Sequence, residues 1–424
     1  SALGGVPNLV LVEPSAEAEV HALVEHLVNT TTESAYLRLV SVKWSLPFSY
    51  PSDTVVREGT GWVVRHATAP DAIVFGYGPW LLSNAWHAAE ALAQETGARV
   101  RIVALPWLNR VDRAWLQQTI GTCSTVVTLD NLSRGFADAV THGPLVVGDI
   151  ADRSLVQRIL SEHNVGTIMH FAAYTIVPES VAEPLRYYDN NVLGTRALID
   201  AALHAGVDEF IFSSSAAVYG TPPEGRASED SPTAPINPYG TSKLVSEWML
   251  RDVAAATSLR PVMLRYFNVG GSDPSGRIGQ STPKATLLTK VAAEHVVGKR
   301  THISIYGTDY PTADGTGIRD YIHVEDLAAA HLSALRYLRG GGAPVVLNVG
   351  YGRGASVREV LNAVESIAGR PLVIVEEPRR AGDPAVLVAE ASRIREVLDW
   401  VPRYDKLEQL VSDALRWERT LAAR

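Results

Sequence analysis

Short apolar runs alternate with amphipathic stretches of helical period along nearly the whole chain. That alternation restricts the fold to an α/β architecture on a mainly parallel sheet. Strands are expected at Asn8–Val12, Tyr36–Val42, Asp71–Phe75, Arg99–Leu105 and Thr125–Leu129. Further strands are expected at Leu145–Gly148, Thr167–Phe171, Glu209–Ser213, Pro261–Phe267, Val345–Val349 and Leu372–Val375. Ser15 is positioned to cap a first helix, whose positive end suits Glu17 and Glu19. Helices are also expected from Ser83, from Asp112 and after Pro238. Leu46–Asp53 reads as a linker, because its prolines and polar residues break both periods. From about Pro274 the loops lengthen, as in a smaller substrate-binding lobe.

The 424 residues suffice for two or three domains, and 46% hydrophobic content is that of an ordinary globular protein. A net charge of −8 argues against a nucleic-acid partner, which needs a basic face. The single cysteine, Cys123, excludes an intramolecular disulfide and fits a reducing cytoplasm; it reads as a small buried apolar group. Ser1–Gly5 lacks the basic and apolar regions of a secretory signal, and no apolar run is long enough to span a bilayer. The expected setting is therefore neither membrane nor nucleic acid.

Chemistry concentrates at Tyr239 and Lys243, four residues apart in Pro238-Tyr239-Gly240-Thr241-Ser242-Lys243. On a helix that spacing puts both on one face. A nearby ammonium favours phenolate over phenol, so the pair is expected to lower the tyrosine pKa and make a base for a hydroxyl proton. Taken alone, the pattern also suits a solvated helix face. Upstream, Phe210-Ile211-Phe212 runs into Ser213-Ser214-Ser215, placing hydroxyls at a strand end, where an open α/β sheet carries its site. Ser215 is expected to bond the oxygen that Tyr239 deprotonates.

From about Asp130 to the C-terminus, roughly seventy per cent of the 424 residues, the chain resembles the UDP-glucose 4-epimerases, extended short-chain dehydrogenases. The resemblance is carried in order by Leu129-Asp130-Asn131-Leu132-Ser133, Gly148-Asp149-Ile150, His170-Phe171-Ala172-Ala173, Tyr187-Tyr188-Asp189-Asn190-Asn191-Val192, the serine strand, the Tyr239–Lys243 helix, Leu264-Arg265-Tyr266-Phe267-Asn268 and Asp314–Val324. It implies NAD as cofactor and a UDP-sugar as substrate. Tyr239 would take the 4-hydroxyl proton while C4 passes a hydride to NAD; the 4-keto sugar turns over and the hydride returns to its other face. It places Lys243 at the nicotinamide ribose and Asp130 at the adenosine ribose, with Tyr239 and Asn131 among the other cofactor contacts. Asp149 and Ile150 would flank the adenine, and Phe171, Ala172 and Ala173 would pass the pyrophosphate. Asn190 and Phe267 match further cofactor positions. Asn268, Leu287, Tyr306, Arg319, Arg380 and Asp383 match sugar-nucleotide positions, with Ser215 at the sugar. Arginines suit a diphosphate, being permanently charged and bidentate; the competing reading of Arg319 and Arg380 is a surface ion pair. His323 has no metal-ligand spacing around it and reads as structural.

The front end departs from this pattern. A Gly-x-x-Gly-x-x-Gly turn belongs roughly twenty residues before Asp130, to bring backbone close to a pyrophosphate. Between Ala98 and Leu129 the chain has a single glycine, Gly121. Residues 1 to about 130 instead resemble the C-terminal part of a transketolase, through Tyr36–Ser41, Phe75-Gly76-Tyr77-Gly78-Pro79 and Leu105–Asp112. On that resemblance Arg38 matches a substrate-phosphate position, though a surface arginine is the simpler reading. Gly76-Tyr77-Gly78 reads as turn geometry, not a dinucleotide loop. The expected architecture is a Rossmann-like doubly wound parallel sheet with a smaller C-terminal substrate lobe, preceded by a transketolase C-terminal-like α/β segment. Its domains are 1–50 and 51–124 (transketolase-like), 125–273 (NAD-binding) and 274–424 (mainly substrate lobe). One way to complete the sheet is for the strand Arg99–Leu105, with the helix after Asp112, to replace the lost first βα unit. Three readings stay open: an epimerase, a fusion that holds no NAD, and a sugar-nucleotide dehydratase. The last is disfavoured because Ala216 and Ala217 follow Ser215 where dehydratases place an Asp-Glu pair. A homodimer is compatible with all three.

Overall fold

A computed structural model of the chain describes residues 9–31, 33–39, 45–50, 56–67, 70, 72–108, 112, 126–283, 285–380 and 383–423. Two compact units divide at Val126/Val127. The helix expected after Asp112, residues 40–42 of the second expected strand, residues 51–53 of the linker, and Cys123 lie outside the described residues.

In the first unit, β1 (Leu9–Val12) pairs in parallel with β2 (Ser34–Leu37) across helix α1 (Glu17–Asn29). The helix does not take Ser15 as its cap: Ala16 holds that position without a side-chain bond, and Ser15 N–H donates to Glu19 at 2.5 Å. Three further strands follow: β3 (Trp62–Arg65), β4 (Ala72–Gly76) and β5 (Val100–Ala104). Strand β5 lies between β3, antiparallel, and β4, parallel. A strand has two edges, and both edges of β5 are paired here. The expectation that it serves as the first strand of a following dinucleotide sheet is thereby corrected. The linker expected at 46–53 is anchored by its aromatics: Phe48 stacks on Trp86 at 5.1 Å, and Tyr50 meets the Trp62 ring edge-on at 6.1 Å.

Helix α2 (Gly78–Thr96) starts five residues before Ser83, with Pro79 in its first turn. Gly78 has φ +65, and a Cβ there would sit 2.5 Å from Glu13 Oε1. Both facts require glycine, and the carboxylate at this helix start opposes an anion. Turn geometry therefore accounts for Gly76-Tyr77-Gly78. Arg38 is ion-paired with Glu13 at 3.2 Å, as a surface arginine would be.

Glu19 is fully buried, and burial pushes its carboxyl up from 4.5 to about 7, against the hydrogen bond from Ser15 N–H. The fold therefore binds this proton more tightly than the unfolded chain does. The resulting stability is complete below about 4.5 and is lost as pH rises through about 7. Thermal unfolding of full-length Glu19→Gln should be less pH-sensitive across that window than wild type; parallel curves would refute a buried carboxyl.

The second unit is built on four parallel strands in the order β15-β11-β9-β8: Thr167–His170 (β8), Glu209–Ser215 (β9), Arg260–Tyr266 (β11) and Val345–Val349 (β15). Phe210 and Phe212 pack with Met263 beneath the helices Arg153–Glu162 and Gly194–His204. Ile211, Val262 and Leu264 face the other way, against the helix Val324–Arg339. Period-two alternation with both faces apolar is what helices on both sides demand. Each buried Phe contributes about 1.5–3 kcal/mol of burial. The short strands β6 (Thr128–Asp130) and β7 (Leu145–Val147) pair in parallel as a separate ladder.

Of the smaller lobe's strands one was expected, at Leu372–Val375, and it starts two residues later than expected. It contains β10 (Arg226–Ala227), β12 (Asn268–Gly270), β13 (Ile303–Tyr306), β14 (Ile318–His323), β16 (Gly354–Ser356), β17 (Ile374–Glu377) and β18 (Val386–Ala389). The order β10-β18-β14-β12 carries β16 antiparallel on β14, while β13 pairs with β17. Among the described residues no helix is long and apolar enough to cross a membrane.

Candidate active site

Strand β9 ends on its three serines, and the helix Pro238–Ala256 begins beside them. Asn237 caps that helix by accepting from Gly240 N–H at 2.9 Å, and Pro238 occupies its first turn. Gly240 permits the close approach: a Cβ there would lie 2.6 Å from the Ala217 carbonyl oxygen. Cap and contact together set Tyr239 near Ser215, whose hydroxyl favours the phenolate and accepts from Ala217 N–H at 3.2 Å.

Lys243 is on the same helix face, and its ammonium is bonded elsewhere than to Tyr239. Its Nζ donates to the Ser213 carbonyl at 2.8 Å and lies 4.9 Å from the Phe212 ring centroid. Burial pushes its pKa down to about 7, with Glu247 opposing. Burial also holds the Tyr239 phenol well above its usual range; Tyr266 adds to this, and only Ser215 opposes it. The expectation of a tyrosine already lowered by Lys243 is therefore corrected. Spacing set the helix face but not the direction of Nζ, and burial outweighs the charge.

Asn191, which sequence reasoning passed over, ties the site to its neighbours. Its side-chain N–H groups donate to Ser242 Oγ and the Tyr174 carbonyl, both at 3.0 Å, and its Oδ1 accepts from Tyr174 N–H at 2.8 Å. Asn190, the expected cofactor contact, donates to Asn191 at 2.9 Å. The signal was a pair of adjacent amides after Asp189 in a helical run.

Asp130, Asn131 and Asp149 gather at the ends of β6 and β7. Asn131 donates to Asp149 at 2.9 Å, and Asp130 accepts from Leu132 N–H at 2.6 Å. Ile150 lies against Gly194, at the start of the helix Gly194–His204. Phe171 is 56% exposed and tilts over buried His331 at 4.7 Å, while Ala172 and Ala173 continue its loop. Phe267 is buried, and Asn268 opens β12.

A second group forms in the lobe. The Arg380 guanidinium lies 3.6 Å from the Tyr306 ring centroid and holds that phenol below its usual range. Arg319 is paired with Asp383 at 3.1 Å, so the ion-pair reading holds for it in this state. Tyr310, absent from the sequence reading, lies among Arg319, Arg379, Asp309 and Asp383; its buried hydroxyl has no hydrogen-bond partner among the described residues. Leu287 precedes the helix Leu288–Val296 and is half-buried. His323 caps the helix Val324–Arg339 and faces Asp413 at 3.3 Å, a structural role.

The residues fit a dinucleotide at its two ends. The buried Lys243 ammonium has one acceptor among the described residues, leaving two donor hydrogens for a ribose diol. Asp130 ends β6 with Gly135 pressed against its carboxylate, where a Cβ would lie 2.6 Å from either oxygen.

A family model for the NAD dependent epimerase/dehydratase family matches residues 110–350. The UDP-glucose 4-epimerase of Azospirillum brasilense is 50% identical over 331 residues, 78% of this chain and 95% of that protein. The crystal structure of UDP-glucose 4-epimerase from Brucella ovis in complex with NAD has a TM-score of 0.68 at 40% identity, over 70% of this chain and 92% of that one. That of UDP-glucose 4-epimerase from Bifidobacterium longum in complex with NAD+ and UDP has a TM-score of 0.67 at 38% identity, over 72% and 93%.

Proposed function

The chain belongs to the NAD-dependent epimerase/dehydratase family, and from that premise we propose that it interconverts UDP-glucose and UDP-galactose by inverting C4. The observation that carries this reading is the close approach of the Tyr239 helix start to the Ser215 end of β9, through Gly240 and Ala217, with Lys243 one turn along the helix. NAD bound along Asp130 and Lys243 supplies the hydride acceptor and donor. Lys243 holds the ribose and places a positive charge near the phenol. Ser215 bonds the sugar 4-oxygen, and Tyr239 takes its proton and later returns it. Inversion needs the hydride to return to the opposite face of C4 while Tyr239 serves the same oxygen, so the sugar must turn over between the two steps while its nucleotide stays fixed. Asn268, Leu287, Tyr306, Arg319, Arg380 and Asp383 are the proposed anchor for that nucleotide. Asn131, Asp149, Ile150, Phe171, Ala172, Ala173, Asn190 and Phe267 are the proposed remainder of the cofactor site. Ala216, in place of an acid after Ser215, favours epimerisation over dehydration.

The front end is read as a transketolase-like segment, with domains 1–50, 51–124, 125–273 and 274–424. Without the three-glycine turn the pyrophosphate is held less closely, so NAD should be retained weakly. Acid release from purified protein should yield NAD well below one per chain, rising toward one when NAD is added before desalting. No NAD in either preparation would refute the reading.

A homodimer is supported by exposed Val181, Leu185 and Trp248, on helices that pack together. A cytoplasmic site is supported by the single cysteine.

A further inference from the structure

A row of buried polar side chains crosses the parallel sheet one residue before Ser215. Register places Ser214 of β9 beside Arg265 of β11, and Arg265 beside Asn348 of β15. Residues in register share a face. Glu247 closes the row from the helix Pro238–Ala256. One of its oxygens accepts from Ser214 Oγ at 2.5 Å and Arg265 Nε at 2.9 Å, and the other from Arg265 Nη2 at 2.6 Å. Arg265 Nη1 donates to the Tyr219 hydroxyl at 3.0 Å, which donates to Asn348 Oδ1 at 2.7 Å.

A buried ion pair is a poor stability device, since apolar side chains of like volume often serve as well. The position of this pair gives it a different purpose. Glu247 follows Lys243 by one helical turn. Ser214, which it grips, lies between Ser213, whose carbonyl takes the Lys243 Nζ, and Ser215, whose hydroxyl favours the Tyr239 phenolate.

We propose that Glu247 and Arg265 are positioning residues for Tyr239, Lys243 and Ser215: through Ser214 the pair fixes the strand end that carries both partners, and Glu247 sets its carboxylate one helical turn from Lys243. The catalytic part of this role rests on the base assigned to Tyr239. Burial lowers Lys243 toward neutrality, and Glu247 is the charge that opposes it. The other titratable groups packed nearby do not supply that charge. His170 on β8 is kept neutral by burial and by Lys243 itself, Tyr239 and Tyr266 are kept as phenols by burial, and Arg265 is engaged by Glu247.

Lysine 13Cε NMR of the full chain tests this without requiring turnover. The chain has six lysines, and the Lys243 resonance is the one missing from Lys243→Arg. In Glu247→Gln its titration midpoint should fall by about one pH unit or more relative to wild type. Turnover at neutral pH should fall in kcat more than in KM. An unchanged midpoint would overturn the proposal. If Glu247→Gln does not fold, the double variant Glu247→Met/Arg265→Met leaves no unpaired buried charge; it should show a fall of the same sign, smaller because the Arg265 charge leaves with it, and a midpoint at or above wild type there overturns the proposal equally. A wild type without epimerase turnover would sink the reading of the preceding section, while the titration would still decide whether Glu247 holds Lys243 charged.

Discussion

Tyr239→Phe should reduce epimerase kcat by about three orders of magnitude while leaving the fold and UDP binding intact. A positioned general base contributes about 10²–10⁴ in rate. The substitution keeps the buried ring and removes one oxygen. The features that place residue 239 are untouched: the Asn237 cap on Gly240 and the close passage of Gly240 over Ala217. Ser215 remains but lacks the proton affinity to replace a phenolate. The ordinary value for the free phenol, about 10, is raised here by burial, so turnover depends on what lowers it in the loaded site. The Lys243 ammonium is the group of the chain suited to do so. Circular dichroism and steady-state kinetics suffice for the comparison. A variant within tenfold of wild type would place the base elsewhere.

Arg319→Met should weaken UDP binding by about ten- to a hundredfold, on the basis of about 1.5–3 kcal/mol for a hydrogen bond to a charged group. The side chain is mostly covered, so methionine fills much of the same space. Its guanidinium is tethered to the Ile318 carbonyl at 2.8 Å, which aims it, and to Asp383 at 3.1 Å. A diphosphate and Asp383 would compete for this group, so the measured loss includes the cost of parting the pair. NAD content should not change, because Asp130 and Lys243 are elsewhere in the fold. Titration calorimetry with UDP on both proteins checks this; equal affinity would return Arg319 to the role of a surface ion pair.

The sequence disclosed the central sheet because its strands carry their own signal. Phe210-Ile211-Phe212 and Val262-Met263-Leu264 are apolar on both faces, and only a strand covered twice reads that way. Apart from β17, expected two residues early at Leu372–Val375, the lobe strands gave no such signal. β10 is two residues long and β16 three, and they are ordered by pairing with β18 and β14, not by their own pattern. β3 escaped notice because a short run after two glycines reads as loop. The same limit applies in the site. Tyr239, Lys243 and Ser215 could be found from spacing and strand context, but the direction of Nζ and the burial of Tyr239 are products of packing. Asn191, Glu247, Arg265 and Tyr310 were hidden for a related reason: a buried polar residue is identified by its partners, which are distant in the chain.

The central claim is that this chain inverts C4 of a UDP-hexose without net redox chemistry. Purified full-length protein incubated with UDP-galactose and added NAD should produce UDP-glucose until the two reach a fixed ratio, approached equally from UDP-glucose, with no NADH accumulating in proportion to product. Failure to interconvert the two sugars at saturating NAD, by a protein that retains its fold, would contradict it.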